Sequence, residues 1–583
     1  MRRLLCLLIA GTIPLLSHGA ESPPNVVIFL SDDQAWGDLS VNGNTNLKTP
    51  HIDSLARDGS SFENFYVCAV CAPTRAEFLT GRYHYKTGVS GVSEGTERIN
   101  PDETTLADAL KEAGYATGAF GKWHNGTQAP YHPNDRGFDE YYGFTSGHWG
   151  HYFSPPLDHN RKTVRGNGYV VDDFTDKAID FIRENKDRPF FCYLPYNTPH
   201  SPMMIDDQFY DRFANLDPEM KYRSPEKEDI MMTRAALAMC ENIDWNVGRI
   251  LETLESLDLS RNTIVIYFSD NGPNSYRWNG GMKGKKGSVD EGGLRSPFMI
   301  RWPGEIEAGR TISQIAGGID ILPTLLDLTD TSPELENPLD GVSLKPLLLE
   351  TNPSWDDRIL FNAYRKKLSL RTQRFRLDGA GKLFDIESDR GQEHDISGQH
   401  SAVANDLKLA AQAFKEEVAT FAEQNTERPF TVGFAKHTTL PARDGIPHGS
   451  IERSSKAPNN SFFENWTSES GHITWKVEVS DPATFQITLN YTCREEDLGV
   501  KIRLEDTKGS SAESTITEAF DPPLYDKSKE RVEESHYYVK DFKAVSLGEL
   551  TLPAGENLLT LSAADFTGNE AIDVHSIELT LSE

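Results

Sequence analysis

The segment CAPTRAEFLTG, residues 71–81, places a cysteine, a proline and an arginine within about one helical turn. Pro73 suits the first position of a helix, and Gly81 suits the position just after the helix ends. Cys71 is then predicted to lie where unpaired backbone N–H groups and the positive end of the helix dipole favour an anion. Arg75 can extend a planar cationic group to the same point. This arrangement suits a nucleophile that acts on an anionic ester.

The composition is that of a large, acidic protein. Its 583 residues are enough for more than one domain, and they carry a formal net charge of −29. This charge argues against nucleic acid or an anionic membrane surface as a general partner. A site for an anionic substrate must therefore be a local region of positive charge.

The first twenty residues have the pattern of a secretory signal peptide. Arg2 and Arg3 form a basic start, residues 4–16 are mostly apolar but too short to span a bilayer, and Ala20 ends a stretch of small residues that suits cleavage. No later stretch is long and apolar enough for a membrane helix. We expect a periplasmic or secreted protein.

Five cysteines follow the expected leader. An odd number leaves at least one thiol free or modified, and so few in a long exported chain indicate that disulfides are not the main scaffold. They are Cys68, Cys71, Cys192, Cys240 and Cys493.

Four short apolar runs with strand character each lead into polar side chains. The runs and the polar residues after them are VVIFL (26–30) with Asp32 and Asp33, ATGAFG (116–121) with Lys122 and His124, PFFCYLPY (189–196) with Asn197 and His200, and TIVIYF (263–268) with Asp270 and Asn271. Amphipathic helical patterns lie between them. This alternation predicts an α/β fold with a mainly parallel sheet covered by helices on both faces. Ligands bind beyond the carboxyl ends of such strands, so the four polar groups should converge.

Two of these groups supply only oxygen ligands. They contain Asp32, Asp33, Asp270 and Asn271. Hard oxygen donors favour Ca²⁺ or Mg²⁺ over Zn²⁺, and no histidine–cysteine cluster has zinc spacing in the sequence. One acidic pair after a strand is commonly a helix cap or a turn, but two pairs at equivalent positions favour a metal site.

The segment 71–81 resembles the signature of the type I sulfatases, C-x-P-S/T-R followed by a helix that ends in T-G, at every fixed position. The resemblance implies the sulfatase fold of the alkaline-phosphatase superfamily. It also implies that a formylglycine-generating maturation enzyme oxidises Cys71 and that the hydrated aldehyde is the nucleophile. One Ca²⁺ per chain would be held by that residue together with Asp32, Asp33, Asp270 and Asn271.

Two further segments resemble catalytic segments of that family. GKWH (121–124) implies that Lys122 binds sulfate and that His124 contacts the hydrated aldehyde and takes up a proton when the aldehyde is regenerated. NTPH (197–200) implies that His200 protonates the leaving oxygen. Such protonation matters because the alkoxide of a sugar is a poor leaving group.

A third segment, KGSVDEGG (286–293), resembles the family's K-G-x-x-x-E-G-G loop. It implies that Lys286 is the second sulfate-binding lysine, but Lys283 and Lys285 are close enough in sequence to take its place. In the implied mechanism Arg75 and Ca²⁺ stabilise the ionised hydroxyl group, and Asp270 is a plausible acceptor for its proton.

Two aromatic loops suggest a sulfated glycan substrate. GFTSGHWGHYF (143–153) and NSYRWNGGMKGKK (274–286) follow or adjoin the catalytic segments. Aromatic faces bind sugar rings, and basic side chains donate to hydroxyl and sulfate groups, although ordinary loop packing is the alternative. The residues concerned are Trp149, His151, Tyr152, Arg277 and Trp278.

The resemblance extends from about residue 25 to about residue 397, and the composition changes further on. LFDIESDRGQEHDIS (383–397) predicts a small antiparallel sheet beside a last helix at 402–424. Short alternating strands after 450 predict an accessory β-sandwich, for packing or for sugar binding. The expected division is a signal peptide 1–20, a catalytic α/β domain 21–350, a C-terminal α+β subdomain 351–427, a linker 428–450 and a β-sandwich 451–583.

Three other functions compete with a carbohydrate sulfatase. A phosphodiester or phosphonate hydrolase of the same superfamily is one, but the histidine and aspartate ligands of a two-zinc phosphatase are not evident. A non-catalytic sulfated-glycan-binding protein is another, but Cys71, Lys122 and His200 are all present. An aryl sulfatase would use the same chemistry on a different substrate.

Overall fold

The computed structural model describes residues 22–425, 427–532 and 539–582. The expected signal peptide at 1–20 lies outside the described residues. Among the described helices, none combines the length and the apolar composition needed to cross a membrane.

A ten-stranded sheet forms the centre of the larger domain. In spatial order its strands are β11 (Arg310–Ile312), β2 (Ser60–Phe62), β10 (Phe298–Arg301), β9 (Thr263–Ser269), β1 (Asn25–Ser31), β8 (Phe190–Pro195), β4 (Ala116–Lys122), β5 (Glu140–Phe144), β6 (Pro156–His159) and β7 (Lys162–Arg165). The five strands from β9 to β5 run parallel, and antiparallel strands flank them on both sides. The predicted mainly parallel sheet is therefore confirmed at its centre.

Helices cover both faces of this sheet. The helices are α1 (Pro50–Arg57), α2 (Cys71–Thr80), α3 (Leu106–Glu112), α4 (Val170–Glu184), α5 (Asp207–Tyr210), α6 (Ile230–Ser256), α7 (Glu291–Leu294), α8 (Ile321–Leu328), α9 (Lys345–Leu349) and α10 (Ser401–Gln424). Helices α1, α4 and α6 contribute to one hydrophobic core, and α2, α3, α8 and α9 contribute to the other.

The alternation of side chains along β1 explains its uninterrupted apolar sequence. Val27 and Phe29 belong to the first core, whereas Val26, Ile28 and Leu30 belong to the second. Both faces of the strand are buried, as is typical of parallel sheets between helical layers.

A small antiparallel sheet follows the larger domain, as the sequence predicts. It consists of β13 (Leu360–Tyr364), β14 (Lys367–Arg371), β15 (Phe375–Leu377) and β16 (Leu383–Asp385). Helix α10 packs on it, and the ring of Phe414 stacks on that of Phe361 with centroids 4.4 Å apart. A separate two-stranded sheet pairs β3 (Phe65–Tyr66) with β12 (Ala316–Gly317).

The C-terminal region forms two six-stranded sheets around one apolar core. One contains β17 (Phe430–Val432), β19 (Ile446–His448), β22 (His472–Val479), β24 (Lys501–Glu505), β25 (Ser511–Thr515) and β27 (Gly555–Ala564). The other contains β18 (His437–Pro441), β20 (Glu452–Arg453), β21 (Phe463–Glu464), β23 (Ala483–Thr492), β26 (Lys543–Leu552) and β28 (Asp573–Leu581).

Residues 428–450, expected to be a linker, instead supply β17, β18 and β19 to these two sheets. Most of the glycine and proline residues that indicated a linker stand at turns and strand ends, although Pro447 lies within β19. Gly433, for example, has φ of 80° between β17 and β18. The threonines lie mainly in the strands, where β-branched side chains are favoured.

Candidate active site

The polar groups predicted to converge lie together at the carboxyl edge of the central sheet. Strands β1 and β9 are neighbours with Ser31 paired to Ser269, so the residues that follow them are adjacent. Strand β4 ends in Lys122, and His200 follows β8. Both side chains lie at the same edge, because a parallel sheet brings all its strand ends to one side. Lys122 is fully buried there, and His200 is partly buried.

Helix α2 presents Cys71 to this edge. The helix begins at Cys71 itself, so Pro73 occupies its third position rather than the predicted first. Val70 precedes it in an extended conformation without a side-chain cap, which leaves the first N–H groups available. Gly81 ends the helix with φ of 68°, as predicted. Burial raises the pKa of the Cys71 thiol, against the lowering effect of Lys122 nearby.

Two of the site's carboxylates form buried ion pairs. Lys122 Nζ lies 2.6 Å from Asp32 Oδ2, and Arg75 Nη2 lies 2.8 Å from Asp270 Oδ2. Burial acts to raise the pKa of Asp32, but the surrounding cations, Lys122 foremost, together outweigh it and hold the pKa well below the usual range. Burial and the negative charge of Asp32 raise the pKa of Asp270 to about 7 despite Arg75. Of these two carboxylates, Asp270 is therefore the one that takes up a proton more readily near neutral pH.

The loop before α7 provides the third cation. Lys286 Nζ lies 2.7 Å from Asp33 Oδ1, whereas Lys285 Nζ donates to the carbonyl oxygen of Asn274 and Lys283 pairs with Asp290. The sequence left three lysines as candidates for binding sulfate, and of these Lys286 is the one that pairs with a carboxylate of the predicted metal site.

The acidic cluster fits a divalent cation with oxygen ligands. Asp32 Oδ1 and Asn271 Oδ1 are buried without a hydrogen-bond partner among the described residues, although buried polar atoms are normally paired. Asp32, Cys71 and Asp270 each offer a ligand atom within 4.8 Å of the others. Asn271 Nδ2 donates to Asp33 Oδ1 at 2.7 Å, which turns its carbonyl oxygen away from that carboxylate. Asp33 adopts φ of 68°, a strained conformation typical of functional positions.

Two histidines flank the cluster in fixed orientations. Burial, with a further contribution from a nearby lysine ammonium, lowers the pKa of both His124 and His200. His200 Nδ1 lies 2.7 Å from the carbonyl oxygen of Ser201 and must donate to it, which leaves Nε2 on the side of Asp33, 3.7 Å from Oδ2. His124 Nε2 lies 2.8 Å from the carbonyl oxygen of Val92.

Sequence reasoning missed His148. Its buried ring stacks on that of His200 with centroids 5.9 Å apart. It belongs to the loop 143–153 that was selected for its aromatic residues, but nothing in the local pattern distinguishes it from His151.

The first of the two aromatic loops, 143–153, is more deeply packed than its composition indicates. Trp149 stacks on Phe144, and its indole N–H group donates to the carbonyl oxygen of Pro156 at 3.0 Å. The hydroxyl group of Tyr152 donates to the carbonyl oxygen of Ser201 at 2.9 Å. His151 Nε2 lies 2.9 Å from a backbone carbonyl oxygen of the C-terminal region. Substrate binding by Trp149 and His151 remains a prediction.

In the second loop, Arg277 is buried and its guanidinium group pairs with Asp38 at 2.7 Å. Trp278 is half-buried beside Trp36, with ring centroids 6.5 Å apart. Arg277 thus has a structural partner, and of these two residues Trp278 has the more accessible side chain. Their contact with substrate also remains a prediction.

Comparison with known protein families agrees with this geometry. The family model described as Sulfatase matches residues 24–331, more than half of the chain, and the model described as N-sulphoglucosamine sulphohydrolase, C-terminal, matches residues 284–413. The chain belongs to the sulfatase family. Its fold places it in the alkaline-phosphatase superfamily, and its activity is that of a sulfuric ester hydrolase.

Several characterised sulfatases are similar to this one. N-acetylgalactosamine-6-sulfatase of Mus musculus is 33% identical over 382 residues, which cover 59% of this chain and 70% of that protein. Arylsulfatase A of Bos taurus is 33% identical over 374 residues, covering 58% and 69%. The crystal structure of Ps i-CgsB in complex with k-i-k-neocarrahexaose is 31% identical with a TM-score of 0.61, covering 67% of this chain and 93% of that one.

Proposed function

We propose that this sulfatase is a periplasmic or secreted enzyme that hydrolyses sulfate esters of a sulfated carbohydrate, with formylglycine at residue 71 and one bound Ca²⁺. One observation carries the proposal: the side chains of Cys71, Asp32 and Asp270 lie together in a buried cluster. The ammonium groups of Lys122 and Lys286 lie beside it. The cationic groups of Arg75, Lys122 and Lys286 match the three carboxylates of the site in number. A bound divalent cation would therefore make it a local positive region in a protein of strongly negative net charge, as an anionic substrate requires.

The cation would be held by the four oxygen-bearing side chains that follow β1 and β9. They are Asp32, Asp33, Asp270 and Asn271. When present, the oxidised Cys71 supplies the hydroxyl group that attacks sulfur, and the cation supplies positive charge that stabilises this group and the sulfate oxygens. The oxygen ligands and the absence of zinc spacing in the sequence favour Ca²⁺.

The chain's own residues perform the remaining steps. Lys122 and Lys286 bind sulfate oxygens and stabilise the charge that develops on them. Arg75 donates to Asp270 and holds this carboxylate beside residue 71, where it can accept a proton. His200 keeps its Nδ1 hydrogen on a backbone carbonyl, so Nε2 is the atom that can deliver a proton to the leaving sugar oxygen.

A sulfated glycan is the substrate class that the similar proteins favour. One similar structure contains a neocarrahexaose, and one similar protein is named for N-acetylgalactosamine. The half-buried Trp278, in the same loop as Lys286, offers an aromatic surface for a sugar ring. A small aryl sulfate is the competing substrate, and comparison of both substrates distinguishes the two.

The decisive experiment concerns residue 71. Active protein should yield a peptide that contains an aldehyde at position 71, trapped by a hydrazine reagent and identified by mass spectrometry. Cys71→Ser, produced in a host that cannot oxidise serine, should fold but lose turnover of every sulfate ester. Cys493→Ser, which changes a buried thiol of the β-sandwich, is the matched control and should stay active. An active Cys71→Ser protein would exclude this mechanism.

Metal analysis tests the second half of the proposal. Purified active enzyme should contain one calcium ion per chain, and Asp270→Asn should lower both calcium content and kcat. Activity lost to a chelator should return with Ca²⁺. Stoichiometric zinc without calcium would instead support a phosphatase-like site.

A further inference from the structure

The β-sandwich is joined to the catalytic domain by directed hydrogen bonds beside the active site. Arg443 of the sandwich donates to Thr127 Oγ1 at 2.5 Å, and Gln128 donates to Asp444 Oδ2 at 3.0 Å. Thr127 and Gln128 follow His124 within four residues. The sandwich therefore contacts the loop that carries a proposed active-site histidine.

Asn459 of the sandwich reaches further into this region. Ser146 Oγ of the catalytic domain donates to the backbone carbonyl oxygen of Asn459. The Asn459 amide Nδ2 donates to the carbonyl oxygen of Val92 at 3.1 Å, and His124 Nε2 lies 2.8 Å from that same oxygen. Asn459 is buried, so water does not compete freely for this shared acceptor.

Gly147 shows how closely these groups pack. A Cβ atom at this position would lie 2.2 Å from Asn459 Nδ2 and 2.4 Å from His124 Nε2. The backbone at residue 147 is therefore enclosed between a sandwich amide and the imidazole ring. This close packing shows, independently of the hydrogen bonds, that the Asn459 amide and the His124 ring lie side by side.

The shared carbonyl determines the tautomer of His124. A carbonyl oxygen only accepts hydrogen bonds, so Nε2 must carry a hydrogen and the neutral ring has its lone pair on Nδ1. Nδ1 is buried without a hydrogen-bond partner among the described residues. It is the atom that can accept a proton from a group bound at the site.

We propose that Asn459 is a positioning residue for His124 and that the β-sandwich is an integral part of the active-site wall rather than an independent sugar-binding module. Asn459 fixes the Val92 carbonyl, which fixes the imidazole ring with Nδ1 as its basic atom. This inference rests on the proposed sulfatase mechanism, with the role in proton transfer that the family resemblance implies for His124. It assigns to the accessory domain a role that the sequence left open.

The test uses the full-length enzyme with a nitrophenyl sulfate as substrate. Asn459→Ala and Asn459→Asp both remove the amide donor, and Asp preserves the size of the side chain. Both should lower kcat about tenfold, as is common for residues that orient an active-site ligand, with KM unchanged. Asn490→Ala, which removes an amide that donates to Ser576 and Glu578 of the sandwich, is the control and should keep wild-type kcat.

A double-mutant comparison separates positioning from general damage. Asn459→Ala in a His124→Ala background should cause no further loss, because its effect passes through the imidazole. Wild-type kcat in both Asn459 variants, or an equal tenfold loss in both backgrounds, would overturn the inference. If the proposed function itself is wrong, the Cys71→Ser variant will still turn over sulfate esters, and this result is independent of the Asn459 variants. Melting temperatures of all variants identify any loss that comes from unfolding.

Discussion

Replacement of Glu291 by glutamine should destabilise the catalytic domain strongly. Glu291 is fully buried at the start of α7, where Arg376 Nε lies 2.7 Å and Arg295 3.0 Å from its carboxylate oxygens. Arg371 lies 3.6 Å away, and the hydroxyl group of Tyr66 donates at 3.1 Å. Burial acts to raise the pKa of Glu291, but Arg376 and the other two guanidinium groups hold it well below the usual range.

Glu291→Gln keeps the size of the side chain but leaves three buried cations without their anion. Removal of one partner from a buried ion pair typically costs about 3–5 kcal/mol, and we expect a free energy of unfolding lower by that amount at neutral pH. The control is Asp385→Asn, which breaks the pair between Asp385 and the half-exposed Arg374 at 2.6 Å. Such an exposed pair contributes at most about 1 kcal/mol.

Urea unfolding followed by circular dichroism measures both variants. The pH dependence has a definite sign, because a carboxyl group with a lowered pKa stabilises the fold above its unfolded pKa and loses that effect as the pH falls. The difference between wild type and Glu291→Gln should therefore persist at neutral pH and shrink below about pH 4. A loss at neutral pH no larger than that of Asp385→Asn would refute the reasoning.

Three further predictions concern catalysis, stability and specificity. His200→Ala should lower kcat on a sugar sulfate by about 10²-fold or more, and much less on a nitrophenyl sulfate whose leaving group needs no proton; equal losses would indicate a binding role. Burial raises the pKa of Glu77 from 4.5 to about 8. Between these two pH values the folded protein keeps the proton on Glu77 and the unfolded chain loses it, so the free energy of unfolding should fall as the pH rises. Glu77→Gln does not titrate, so its stability relative to wild type should rise over the same range, and a constant difference in thermal melts would contradict this. Trp278→Ala should raise KM for a sulfated oligosaccharide about 2- to 10-fold without affecting a phenyl sulfate, and unchanged kinetics on both would remove this residue from the binding site.

The sheet and the oxygen cluster are predictable because they depend on local patterns. A buried parallel strand is an apolar run, and its carboxyl end is marked by the first polar residues. The positions of Asp32 and Asp270 follow from this rule, since β1 and β9 are neighbours in register. The second sulfate-binding lysine could be narrowed only to three candidates, because the direction of a side chain in a glycine-rich loop depends on the tertiary fold.

Residues that act across domains could not be predicted. Glu291 matched a loop motif, but its partners Arg371 and Arg376 come from strands of another subdomain, and no spacing reveals that pairing. Asn459 contacts the active-site region only after the sandwich has docked. The same limit applies to Trp149, whose aromatic side chain suits a sugar ring and a packed loop equally well in sequence.

The complete burial of α2 constrains the order of events when the protein is made. All ten residues from Cys71 to Thr80 are enclosed, and Cys71 is 3% exposed. An enzyme that oxidises Cys71 must reach its side chain, and in the finished fold that side chain and its neighbours in α2 are buried. The oxidation proposed for Cys71 therefore has to occur on the newly made chain before the central sheet closes over it. Faster synthesis or earlier collapse would then leave a permanent fraction of correctly folded but unmodified molecules, which no later treatment of the folded protein could convert.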